Sequence, residues 1–178
     1  NQDKIGLILF SDQIVKYIPP RKGRDSVMRL VREVLAAEDD AKGGTDITEA
    51  LKFLNGVQKR RAVVFLVSDF LGRGDCEKML RATARHHDMV CVPVSDPAER
   101  ELPDVGLVEL EDPETGDLVL VDTSSAAVRR RFAAQASEET EELKRFFLKT
   151  GIDTLTIATD RPYIDEVRGL FKRRARKR

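Results

Sequence analysis

Apolar residues along this chain gather in short unbroken runs and in helical stripes, and the two kinds of segment alternate. Ile5–Phe10 is a short apolar run closed by Ser11-Asp12, and Ile14–Ile18 is a second run stopped by Pro19-Pro20. The short link between them predicts an antiparallel hairpin or a strand with an edge partner. Arg24–Ala37 carries Val27, Leu30, Val31, Val34 and Leu35 at helical spacing. Asp39–Gly44 reads as a polar loop, and Thr48–Val57 as a helix whose apolar face is Ala50, Leu51, Phe53, Leu54 and Val57. Ala62–Val67 is apolar without alternation, which predicts a parallel strand buried on both faces.

Asp75–His87 follows as a helix with Met79, Leu80 and Ala84 inward, and Met89–Val94 as another buried strand. Gly106–Glu111 and Asp117–Val121 flank the Pro- and Gly-containing turn Asp112–Gly116 and predict an inserted β-hairpin. A long helix is expected from Ser125 to Thr150 with Gly151 as its stop. Ile152–Ala158 is then a last strand and Pro162–Arg174 a last helix. This order predicts a doubly wound α/β layer sandwich in one domain over residues 1–178.

Composition narrows the class without naming a ligand. The 178 residues are 41% hydrophobic and 35% charged, with 31 basic and 31 acidic side chains balancing to a net charge of zero. That balance gives no electrostatic footprint for a nucleic-acid partner. No apolar run reaches the roughly 20 residues of a membrane span, and no signal-peptide pattern is visible. Cys76 and Cys91 have neither CxxC spacing nor histidines at metal-ligand spacing. They read as reduced thiols of a cytoplasmic protein.

Candidate chemistry lies at the loop junctions. Gly43-Gly44-Thr45-Asp46-Ile47 and the strand end Ser68-Asp69 each offer a hard oxygen donor, Thr45 and Asp69, of the kind that suits Mg²⁺. Hydroxyl–acid pairs recur at the strand ends, in Ser11-Asp12, Ser68-Asp69, Ser95-Asp96 and Thr159-Asp160. The carboxyl ends of parallel strands line the ligand crevice of an open sheet, although such residues also simply cap the next helix. No GxxxxGK[ST] loop accompanies Asp69, which argues against a nucleotide hydrolase. No GxSxG elbow supplies a serine nucleophile. His86-His87 suits a helix C-terminus, and the run Lys172–Arg178 reads as a basic end after the last helix.

Several stretches together carry a family resemblance. These are Ile5–Asp12, Tyr17–Arg24, Gly44-Thr45-Asp46, Val64–Leu71, Ser95–Pro103 and Leu110–Gly116. They resemble the von Willebrand factor A fold and, more closely, a bacterial family known as domain of unknown function fifty-eight, often encoded beside MoxR-type AAA+ ATPases. The resemblance implies a Rossmann-like, mostly parallel sheet with helices on both faces. It also implies a metal-ion-dependent adhesion site for Mg²⁺ or Mn²⁺, with Thr45 and Asp69 as metal residues. Gly43, Gly44, Asp46 and Phe70 would then contact a partner.

The Asp-x-Ser-x-Ser element of such sites does not occur in this sequence. The chain reads as beginning at the family's second strand, so metal affinity is expected to be weak or absent and the sheet to carry a central gap. That gap invites self-association. The function expected is a non-enzymatic protein-binding module acting with a MoxR-type ATPase, with the hairpin Gly106–Val121 as a second candidate surface. The alternatives are a metal-assisted hydrolase using Asp69 and a structural domain with a decayed metal site.

Overall fold

The computed structural model describes residues 3–37, 44–70, 76–111 and 118–176. It is a mixed α/β protein whose contacts divide it into two compact units. Of the described residues, 3–37, 44–60 and 76–83 form the first, and 61–70, 84–111 and 118–176 the second.

In the first unit, β1 (Ile5–Phe10) pairs antiparallel with β2 (Ile14–Arg21), as the sequence predicts. β2 continues through Pro19-Pro20 rather than stopping there. Two features allow this. β2 has β1 as its only strand partner among the described residues, and the register slips between Ile5 and Leu7, so the prolines need donate to no ladder. Gly6 sits at that slip, and a Cβ there would lie 2.8 Å from the Ile18 carbonyl oxygen.

Helix α1 (Arg24–Ala36) begins after Gly23 at φ 100°, and α2 (Ile47–Val57) after Asp46. Ile18, Leu30, Ile47, Leu51 and Leu80 are core residues of this unit. Tyr17 meets Phe53 edge-on at 5.3 Å. The apolar stripe of α1 is helical as the spacing predicts, but only Leu30 on it is buried. Val27, Met28, Val31, Val34 and Leu35 remain exposed. Helix α3 (Glu77–His86) passes from the first unit into the second between Thr83 and Ala84.

The second unit is built on a parallel sheet. β3 (Val63–Ser68) pairs with β4 (Asp88–Ser95) over its full length. On the far side of β4 lie β7 (Asp153–Thr154) and β8 (Ile157–Ala158), the strand expected over Ile152–Ala158 in two pieces. β4 is the central strand, and Met89 to Pro93 are all buried. β3 departs from expectation. Leu66 is buried, but Val63, Phe65 and Val67 are about half exposed, so the strand is covered on one face only. An unbroken apolar run does not distinguish these cases, because it records no neighbour.

β5 (Leu107–Glu111) and β6 (Leu118–Asp122) form the predicted hairpin. Its turn lies outside the described residues. Helix α4 (Ala126–Thr150) ends at Gly151, whose φ of 68° is the left-handed cap that glycine permits. Helix α5 (Ile164–Arg176) sets Leu170 against Val90, Val92 and Leu155. The basic run is therefore helical through Arg176 rather than a loose end. Cys76 and Cys91 are buried and form no disulfide.

His87 corrects the expectation for the His86-His87 pair. It lies beyond the end of α3 and is 1% exposed, so it does not serve as a solvated imidazolium at a helix end. Ala62 N–H donates to its Nδ1, which places the ring proton on Nε2, a buried atom with no hydrogen-bond partner. Burial, and secondarily the neighbouring His86, push its pKa below the ordinary 6.5. The fold therefore favours neutral His87, while the unfolded chain takes up a proton as pH falls through about 6.5. Stability is expected to decline from about pH 6.5 downward, and the decline from this group ends below its folded pKa. A His87→Gln variant, followed by urea midpoints between pH 8 and pH 5, should lose most of that slope. The depressed carboxyls of Glu33, Asp96, Asp122 and Glu141 act lower, as pH falls through and below ordinary values of 3.8 and 4.5.

Candidate functional site

In the first unit, the Gly-Thr-Asp loop is tied to the end of β1. Asp46 N–H donates to Ser11 O at 2.8 Å, which brings the loop's Thr45-Asp46 to the strand-end pair Ser11-Asp12. The Asp46 side chain accepts from Glu49 N–H at 2.9 Å and caps α2. Its carboxylate is thus engaged in a helix start. Gly44 and Thr45 are half-buried and Asp46 is exposed. Gly43 and the loop from Asp39 lie outside the described residues, as do Leu71 to Gly74.

In the second unit, the parallel pairing sets three hydroxyl–acid pairs at the carboxyl ends of neighbouring strands. These are Ser68-Asp69 after β3, Ser95-Asp96 after β4 and Thr159-Asp160 after β8. Asp96 is largely committed to structure. It accepts from Thr159 Oγ1 and from Ala98 N–H, and it opens a single 3₁₀ turn over Pro97–Glu99. The Thr159 hydroxyl first, then the Ala98 amide, hold its carboxyl below the usual value. Capping thus accounts for Asp96 as the simpler reading of the motif requires. Asp69 is exposed beyond the end of β3, with the Ser68 hydroxyl 3.4 Å from Oδ1.

Phe70 fixes that geometry. It is the one non-glycine residue with positive φ among those described, at 61°. Its N–H donates to Ser68 Oγ at 3.0 Å. The ring is 1% exposed and meets Phe147 edge-on at 5.1 Å. The Phe70 side chain, expected at a partner surface, therefore lies in the core. The left-handed backbone turns its side chain into the core, where it holds Asp69 at the surface. Nothing in the residue order Ser-Asp-Phe announces a positive φ. Ser11 and Asp12 were legible only as part of the strand-end recurrence, and the Asp46–Ser11 bond is what places them beside Thr45.

Thr45 and Asp69 carry hard oxygens of the type Mg²⁺ takes, but an octahedral shell needs more donors than these. Among the described residues, no group of three or more His, Cys, Asp or Glu could hold a metal ion. Nor, among the described residues, is any helix long and apolar enough to cross a membrane.

The fold and strand-end chemistry define a mixed α/β domain with a mostly parallel sheet that carries hydroxyl–acid pairs at its carboxyl edge. The chain belongs to the family described as Protein of unknown function DUF58, whose model matches residues 1–142. Uncharacterized protein MAV169 of Mycobacterium avium is 32% identical over 160 residues, covering 89% of this chain and 94% of that protein. Uncharacterized protein Rv1480 of Mycobacterium tuberculosis is 31% identical over 175 residues. That match covers 97% of this chain and 55% of the relative, so the chain spans about half of the longer relative's length. The crystal structure of conserved hypothetical protein BatB from Bacteroides thetaiotaomicron is similar in fold, with a TM-score of 0.53 at 17% identity. The likeness covers 97% of this chain and 81% of that one.

Proposed function

We propose that this domain is a non-enzymatic protein-binding module of von Willebrand factor A type that works with a MoxR-type AAA+ ATPase in assembling or activating a protein complex. The observation that carries the reading is Asp69, exposed at the carboxyl end of a parallel strand and held there by a buried, left-handed Phe70. A carboxylate preset at a sheet's ligand-facing edge is suited to meet a partner's cationic or donor group. The resemblance assigns metal-site roles to Thr45 and to Asp69, and the Asp-x-Ser-x-Ser donors that such a site also needs do not occur in this sequence. The choice of ATPase partner rests on the resemblance alone.

Calorimetric titration of this chain with a purified MoxR-type ATPase tests the proposal. Micromolar association is expected, weakened about tenfold by Asp69→Ala and unchanged by exchanging Mg²⁺ for a chelator when no nucleotide is present. The reading is overturned by absence of association, or by an Asp69→Ala chain that binds as well as the wild type.

A further inference from the structure

Asp88 N–H donates to Ala62 O at 2.8 Å where the β3–β4 ladder begins. Parallel pairing uses alternate residues, so the Ala62 N–H also points toward β4. At that level the neighbouring chain is leaving α3, which ends at His86. The Ala62 N–H donates to Nδ1 of the His87 ring at 3.4 Å. The imidazole thus adds a side-chain rung to the ladder and ties the entry of β3 to the entry of β4. All of these groups lie on the β4 side of β3, so the tie is independent of whatever covers the strand's other edge.

Only a neutral ring can make this tie. Nδ1 must stay bare to accept, which leaves the proton on Nε2, a buried atom with no hydrogen-bond partner. A second proton would set Nδ1–H against Ala62 N–H, two donors facing each other. It would also enclose a cation at a site that is 1% exposed. The charged groups around it give no relief. Arg60 and Arg61 precede Ala62, and Arg85 and His86 precede the ring. The His86 ring meets it at 4.6 Å. Asp88, the acid that follows, is engaged by Arg174 of α5, which also holds Asp153 at the start of β7. A guanidinium does not titrate. The start of the sheet therefore has one clip that a proton breaks, β3 to β4, and a second whose cation is permanent.

We infer that His87 is an acid-released latch: protonation expels its ring from the core, frees the Ala62 N–H and frays β3 from β4 starting at Val63. The side of β4 that Arg174 clips to β7 and α5 stays closed. This is a local opening, distinct from global unfolding. It concerns the second unit alone and does not rest on the ATPase reading. Burial first, then His86, hold the ring's pKa below the ordinary 6.5, so the latch is shut at neutral pH. Opening takes up one proton. Its equilibrium constant therefore rises up to about tenfold per pH unit as pH falls below about 6.5, and levels off below the ring's folded pKa.

Amide hydrogen exchange followed by NMR between pH 8 and pH 5, corrected for intrinsic chemistry, reads the latch. Ala62 should lose protection in that window by up to about tenfold per pH unit, through an opening that urea hardly speeds. Leu155, whose N–H donates to Cys91 O on the far side of β4, should stay about tenfold or more better protected and exchange through a larger, urea-sensitive unfolding. His87→Gln keeps an acceptor but cannot titrate, so its Ala62 should show no such loss, whereas His86→Gln should still show it. At pH 8 the ring nitrogen shifts should report a neutral His87 protonated at Nε2. An Nδ1-protonated ring overturns the inference, as does an Ala62 amide that stays protected once the ring is charged. So does a loss that survives His87→Gln, or equal protection and equal urea dependence at Ala62 and Leu155. The tautomer and the comparison of the two amides are read in the wild type, so both stand even where His87→Gln does not fold.

Discussion

Replacing Phe70 with alanine is expected to destabilise the protein by about 3–5 kcal/mol, the range for removing a buried aromatic ring. The ring is nearly inaccessible and stacks edge-on against Phe147, so no solvent can fill the space cheaply. An aromatic pair of this geometry contributes roughly 1 kcal/mol beyond its buried area. Opposing that is the backbone, since a bulky residue at φ 61° is strained. Alanine keeps most of that strain while losing the ring. Glycine loses the ring but relieves the strain, so Phe70→Gly should be more stable than Phe70→Ala by about 1 kcal/mol. Glycine normally ranks below alanine, and the inverted order is diagnostic of the left-handed conformation. Urea denaturation of the two variants beside the wild type measures both differences. Equal stabilities for alanine and wild type would mean that the ring is not a core residue.

Removing the guanidinium of Arg174 is the second large effect. Arg174 lies in the last turn of α5 and forks between two carboxylates, Asp88 at the start of β4 and Asp153 at the start of β7. Its Nε is 3.0 Å from Asp153 Oδ2, and the side chain is 19% exposed. Without it, two partly buried carboxylates lose the guanidinium they share. Breaking a fully buried pair costs about 3–5 kcal/mol; here the acids keep some solvent, so Arg174→Ala should cost about 2–3 kcal/mol. Lysine carries the charge but cannot fork, so Arg174→Lys should recover less than half of the loss. The triple change Arg174→Met, Asp88→Asn and Asp153→Asn should be milder than Arg174→Ala, because it strands no charge. Denaturant midpoints at neutral pH compare all three.

Much of the element order was legible because periodicity reports which residues share a face. The hairpin β1–β2, the buried strand β4, the inserted hairpin β5–β6 and the glycine stop of α4 all follow from runs, turns and caps. Periodicity does not report whether a face is covered. That is why the α1 stripe and the odd-numbered residues of β3 look like core in sequence and stand exposed in the fold. The candidate site divides in the same way. Asp46 as a helix cap and Asp96 as a capping carboxylate follow from residue type and position. The inward turn of Phe70 and the neutral burial of His87 depend on tertiary packing, which leaves no local mark. Within the basic run of α5, sequence alone could not single out Arg174, since its value lies in two aspartates 21 and 86 positions away.

Helix α4 carries a last consequence. Of its 25 residues only Phe147 is buried, while near its start Arg129 donates to the Thr123 and Ser124 carbonyls and pairs with Asp104. Arg129 and Phe147 stand 18 positions apart, or about five complete turns at 3.6 residues per turn. They therefore share one side of the helix. The span between them is held by phase and not by composition. Its acidic surface, Glu138 to Glu142, can drift through many substitutions at little cost, while adding or deleting a single residue would rotate Phe147 by about 100° away from Phe70. Among related chains, α4 should vary freely in letters and hardly at all in length.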